Sequence, residues 1–115
     1  MTDAHRLRAW LALLRAPGIG PVTASRLLER FGSPQALLDA GPLQWQAAGL
    51  TREQYAGLRE RDEAAITADL AWLAGSPQRA FVALDDPRYP AQLRAIAHAP
   101  IGLFCHGDTD LLALP

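Results

Sequence analysis

Lysine is absent from the 115-residue chain, so all eleven of its cationic side chains are arginines. Together with abundant alanine, this reads as a bias of genomic composition and not as a functional sign. Cysteine is almost as scarce: a single thiol, Cys105, excludes an internal disulfide framework and fits a reducing compartment. No apolar run approaches the ~18 residues needed to cross a bilayer. The N-terminus, Met1 to Arg6, leads straight into an amphipathic pattern containing Arg8 and Arg15, unlike a signal or transit peptide. A soluble, cytoplasmic protein with no membrane partner is expected.

Metal and catalytic grammar is missing too. Cys105-His106 stands near Asp108 and Asp110, but adjacent strand residues point to opposite faces, and no Cys-x-x-Cys or His-x-x-x-His pair occurs. No metal and no cofactor is expected. Asp85, Asp86, Asp108 and Asp110 lie beside Pro87 and Gly107, where turn chemistry accounts for them. His5 and His98 have no evident acid or nucleophile partner, so no catalytic residue is assigned and an enzyme is not expected.

Charge is close to balanced, at a net −1, which taken whole is poor support for a nucleic-acid binder. Its distribution is uneven. Through Ser33, five arginines face two acids; from Pro34 onward, six arginines face ten acids. The basic excess is mild and lies on the N-terminal part.

That part carries the most organised pattern in the chain. Leu7, Trp10, Leu11 and Leu14, and then Ala24, Leu27, Leu28 and Phe31, each follow the i, i+3, i+4, i+7 spacing of an amphipathic helix. Between them stands Pro17-Gly18-Ile19-Gly20-Pro21. The glycines permit close backbone approach, Pro21 suits the first position of the second helix, and Ile19 turns inward to pin the joint. At Leu14, Gly18, Ile19, Gly20, Ala24, Leu27 and Leu28 the chain resembles a helix-hairpin-helix element.

Such a corner can cradle a phosphate, because free N–H groups at a helix start and the helix dipole favour an anion. The expected nucleic-acid contacts are therefore Gly18, Ile19, Gly20, Val22 and Thr23, with the donors being the amides of Gly20, Val22 and Thr23 and the Thr23 hydroxyl. Arg26 and Arg30 lie one and two turns further on and reach toward flanking phosphates. Contacts of this kind grip a backbone without reading bases, so binding is weak, salt-sensitive and indifferent to sequence. The alternative is a compact corner that serves packing or a protein partner.

Further along, helices are expected over residues 4–15 and 21–31, the second stopped by Gly32, then over 34–40 behind the cap Ser33. A short turn follows from Pro42 through Leu43 and Trp45 to Gly49. Thr51 to Gln54 reads as a capping box that opens a helix to Ala74, kinked near Gly57 and the charged run 59–63. Gly75-Ser-Pro77 ends the helical domain. The grammar then changes to a strand at 81–84, a proline-initiated helix through 89–96, and a strand at 101–105. Two strands and one helix do not make a stable sheet alone, which points to an N-terminal piece of a longer protein. Helical phase places Trp10 in the core, where Trp45 and Trp72 are expected as well.

The second segment makes the resemblance specific. Asp85, Tyr89-Pro90, Leu93, Ile96, Pro100, Leu103-Phe104, Gly107-Asp108, Leu111-Leu112 and Pro115 are similar to a run found in the bacterial DNA-processing protein A (DprA/Smf) family. The resemblance spans essentially the whole chain, loosely over the helices and closely at the hairpin and from Asp85 onward. It implies a mainly α fold: a SAM-like helical bundle with a helix-hairpin-helix over 1–77, then over 78–115 the β-α-β start of a Rossmann-like domain. It also implies a non-enzymatic protein of natural transformation that binds incoming single-stranded DNA, helps load a RecA-type recombinase through the following domain, and forms a homodimer. The family's principal DNA site, with its Gly-Ser-Arg segment, has no counterpart in these residues. Two other readings stand beside it: a protein-interaction module without DNA contact, and an accessory domain of a repair nuclease or ligase, which leaves residues 85 to 115 unexplained.

Overall fold

Local punctuation decides where most helices begin and end. The computed structural model describes residues 2–96 and 98–107. Within them, α1 spans Thr2–Leu14, α2 Pro21–Phe31, α3 Pro34–Ala40 and α4 Pro42–Ala47. Proline opens three of the four, at positions whose N–H has no helical partner in any case. The Ser33 hydroxyl accepts from the Ala36 amide at 3.1 Å, capping α3. Helix α5, Arg52–Arg59, starts at a reciprocal capping box: Gln54 N–H donates to Thr51 Oγ1 at 3.2 Å, and Thr51 N–H donates to Gln54 Oε1 at 2.9 Å.

The helix expected to run on to Ala74 with a kink is instead two helices. The chain leaves helical geometry at Glu60 and re-enters at α6, Glu63–Ala74, where the Asp62 carboxylate caps the Ala65 amide at 3.0 Å. A capping aspartate within the charged run supplies a new start, so the interruption becomes a corner.

The first helix also departs from expectation. Ala9, Trp10, Leu11, Ala12 and Leu13 are all buried in succession, which no single-faced helix allows. Helix α1 packs against both α3 and α6. It is the central rod of the bundle, and its Leu11 and Leu13 join Leu27, Leu37, Leu58 and Ile66 in one buried cluster.

Beyond α6 come β1, Arg79–Ala83, the single-turn α7, Ala91–Arg94, and β2, Gly102–His106. The strand–helix–strand order matches the sequence reading, and the two strands pair antiparallel, with Phe81 opposite Phe104 and Ala83 opposite Gly102. The segment between them, residues 84–101, holds among its described residues only this single turn of helix and turns round instead of crossing over. Helix α6 packs on β1, and Ala83 and Ile101 join the same buried cluster as the helices, so one continuous core runs across Pro77. The expected motif positions 108–115 lie outside the described residues.

The loop after β1 is tied down by polar contacts. Asp86 accepts from the Arg88 amide at 2.8 Å and from the Arg88 guanidinium at 3.2 and 2.9 Å, while Arg94 donates to the Leu84 and Asp86 carbonyls at 3.1 and 3.0 Å. The Tyr89 hydroxyl donates to the Pro100 carbonyl at 2.6 Å. The hydrogen bonds from Arg88 hold the Asp86 carboxyl below the usual carboxylate range, against the opposing effect of its partial burial. A depressed acid stabilises the fold above its ordinary pKa, ~3.9, and that stabilisation disappears as the pH falls through the depressed value. Asp86→Asn is expected to lower stability by about 1 kcal/mol at neutral pH. The gap between the mutant and wild-type denaturation midpoints should narrow as the pH falls below the ordinary carboxylate value and through the depressed one; a gap that stays constant as the pH falls would show that Asp86 acts through shape and not through charge.

Candidate nucleic-acid interface

The corner between α1 and α2 is built as its sequence implies. Gly18 has φ +78°, a conformation that disfavours side chains, and it turns the chain so that Ile19 enters the core. Ile19 N–H donates to the Ala16 carbonyl at 3.4 Å, and Ala24 N–H donates to the Gly20 carbonyl at 2.9 Å. Ile19 is thus a pin and offers a ligand neither side chain nor amide. Among the described residues, the amides of Gly20, Val22 and Thr23 have no acceptor in the protein. Gly18, Gly20 and Val22 are exposed and Thr23 half-buried, so the helix start faces solvent with its donors open.

The electrostatics differ from the linear charge count. Three of the five N-terminal arginines are paired with acids from the second half of the chain. Arg6 binds Asp85 at 2.5 Å, Arg8 binds Glu63 at 2.6 Å, and Arg15 grips the buried Asp69 through two bonds of 2.9 and 2.6 Å. Folding thereby neutralises much of the basic excess. Arg26 and Arg30 remain, both exposed on α2 and neither engaged in an ion pair among the described residues. Arg30 lies 6.0 Å from the centre of the Phe31 ring.

Helix α5 is the other neighbour of this corner. Gln54 Nε2 donates to the Gly18 carbonyl at 3.0 Å, and a Cβ built on Gly18 would come 3.8 Å from the Glu53 carboxyl carbon. Pro17 rests directly on Gly57. The turn from α4 to α5 repeats the same local design, with Gly49 at φ +89°, the buried Leu50 and the capping Thr51. Sequence reading passed over this second corner, although Gly-Leu-Thr at 49–51 has the form of Gly-Ile-Gly at 18–20.

The tryptophans separate. Trp10 and Trp45 are buried, and Trp45 Nε1 donates to the Leu37 carbonyl at 2.7 Å. Trp72, expected in the core, is 37% exposed and meets Phe104, equally exposed, edge-on at 5.9 Å. The Arg79 guanidinium stacks on Trp72 at 4.8 Å, and Arg15 approaches Phe104 at 5.7 Å. Burial pushes the Cys105 thiol up from its ordinary value, away from a reactive thiolate. Among the described residues no helix is long and apolar enough to cross a membrane.

The family model for a DprA-like N-terminal HHH domain matches residues 3–71, which take in α1 to α5 and most of α6. No curated protein matches the chain.

Proposed function

The chain belongs to the DprA-like N-terminal HHH domain family, and on that premise we propose that it acts in DNA processing during natural transformation. It binds incoming single-stranded DNA and assists the loading of a RecA-type recombinase, without catalysing a reaction. In this reading residues 1–77 are the accessory helical domain, and 78–115 open a Rossmann-like domain that carries the recombinase contact and the homodimer interface. The protein works in the cytoplasm.

The observation that carries the DNA assignment is the set of open amides at Gly20, Val22 and Thr23 beside the unpaired Arg26. A phosphate placed there meets backbone donors and a positive helix end, with no side chain at Gly20 to hold it off. A non-enzymatic role is supported by membership of the DprA-like N-terminal HHH domain family.

The clean test is Gly20→Val. Its backbone lies in ordinary extended space, and a Cβ there would meet nothing within 4 Å, so the fold survives while the anion is pushed away. We expect single-stranded DNA affinity to fall roughly tenfold. Arg26→Gln should lower the slope of log affinity against log salt by about one unit or slightly less. Unchanged DNA affinity in both variants would overturn the hairpin contact. The Glu53 carboxylate beside Gly18 favours a second reading, in which the corner receives a basic protein partner. Glu53→Gln separates the two, strengthening DNA binding in the first and weakening partner binding in the second.

A further inference from the structure

Helix α5 meets the α1–α2 corner through two residues on one of its faces. Pro17 rests on Gly57, and Gln54, three residues earlier, lays its Cγ 3.5 Å from where a Cβ on Gly18 would stand. The head of the Gln54 side chain makes two bonds of opposite polarity. Its Oε1 accepts from the Thr51 amide at 2.9 Å, and its Nε2 donates to the Gly18 carbonyl at 3.0 Å. An N–H can only donate and a carbonyl can only accept, so both partners demand the same orientation of the side-chain amide. A capping box needs only the first of these bonds, and glutamate supplies it equally well. The second bond is what glutamine adds.

Its target is the peptide that links Gly18 to Ile19. In a trans peptide the carbonyl and the N–H point in opposite directions, and here both are engaged: Gln54 holds the Gly18 carbonyl, and the Ala16 carbonyl accepts from the Ile19 N–H at 3.4 Å. The bond to Ala16 is long, and the glycine on the near side of this plane offers little resistance to its rotation. Gln54 therefore supplies most of the restraint. The next peptide along presents the Gly20 N–H, the first of the three open donors at the start of α2. A rotation of the 18–19 plane turns that donor with it.

We infer that Gln54 is the positioning residue of this corner: it clamps the Gly18–Ile19 peptide so that the Gly20 amide is aimed at solvent before an anion arrives. Such preorganisation strengthens binding by removing an ordering cost. The consequence for binding rests on the nucleic-acid reading of the corner, whereas the clamp itself is a property of the free chain.

The test exchanges two neighbours, Glu53→Gln together with Gln54→Glu. The charge at the start of α5 is unchanged, the capping box is kept, and the donor to Gly18 is lost. Parent and variant, both ¹⁵N-labelled, are compared by the relaxation of their Ile19 and Gly20 amides and are then titrated with a fluorescent oligothymidylate. The urea midpoint should stay close to the parent's. The order parameters of Ile19 and Gly20 should fall from the rigid value of about 0.85 toward about 0.6, and oligothymidylate affinity should fall roughly threefold to tenfold, the effect of one hydrogen bond. Lowering the pH through the ordinary glutamate value, ~4.3, protonates the introduced carboxyl and returns an O–H donor. The two order parameters should then recover, while the parent in the same pH series gives the baseline. Gln54→Met keeps the side-chain length and gives up both bonds; it should loosen the same two amides and lower the urea midpoint, and it takes the place of the exchange variant should that one not fold. Order parameters at the parent's level in the folded variants overturn the inference, as does undiminished oligothymidylate affinity beside a parent that binds. A parent that binds no oligothymidylate overturns the DNA reading of the corner instead, and relaxation of the free chains still decides the role of Gln54.

Discussion

Gly57→Val is expected to cost about 3 kcal/mol or more of folding stability, and Gly57→Ala about 1–2 kcal/mol. In an exposed helix the alanine change would be favourable by roughly 0.5–1 kcal/mol, because glycine loses the most backbone freedom on folding. Here the sign reverses. A Cβ at Gly57 would lie 2.9 Å from Pro17 Cδ and 2.9 Å from the Pro17 carbonyl oxygen. Neither atom can swing aside, since one belongs to a closed ring and the other to the backbone. The hairpin would have to lift from α5, exposing Ile19 and Leu58, both of which are buried in the native state. Urea titration of the two variants checks this, and a Gly57→Ala variant as stable as the parent would show that the corner tolerates displacement. Because Pro17 leads directly into Gly18 and Gly20, the lifted corner should also bind DNA more weakly, by a larger factor than Arg26→Gln.

This position illustrates what the sequence made legible and what it did not. Signals confined to a few consecutive residues were readable: Pro21 and Gly32 bound α2, Ser33-Pro34 opens α3, and Thr51 with Gln54 caps α5. The open amides at Gly20, Val22 and Thr23 belong to the same class, because a Gly-Pro helix start leaves them free by geometry alone. Gly57 looked like an interruption of an apolar face, whereas its reason is a contact with Pro17, forty residues earlier. Such a neighbour leaves no local trace. The three pairs formed by Arg6, Arg8 and Arg15 have partners 79, 55 and 54 residues away, so the N-terminal charge excess could be counted but not its neutralisation. Glu53 escaped notice for the same reason, although it sits beside Gly18 at the α1–α2 corner. The antiparallel turn-round of β1 and β2 left no local mark either, since the segment 84–101 is long enough for a crossover, and helix ends are the least certain feature of any periodic pattern.

The all-round burial of α1 was the least legible feature and carries the other large effect. Leu11 and Leu13 are both completely buried, yet two residues apart on a helix they point about 200° apart. Each therefore fills a different side of the rod, and an amphipathic reading could accommodate only one. Leu11→Ala and Leu13→Ala should each cost about 2–5 kcal/mol, the lost transfer energy plus the cavity left behind. The double variant tests the geometry itself. Side chains on opposite faces share few neighbours, so the two losses should add to within about 0.5 kcal/mol. A sum of roughly 4–10 kcal/mol overlaps the ~5–15 kcal/mol stability of ordinary domains, so the cycle is measured in a stabilising osmolyte that keeps the double variant folded. Leu43→Ala provides the reference. That residue is 81% exposed on α4, and its change should stay within about 0.5 kcal/mol of the parent. Strong sub-additivity between Leu11 and Leu13 would mean that they line one shared void, and α1 would then be a surface helix with a single buried face. Additive losses establish it as the rod on which the α1–α2 corner is held, so that the open amides owe their position to contacts on both of its sides.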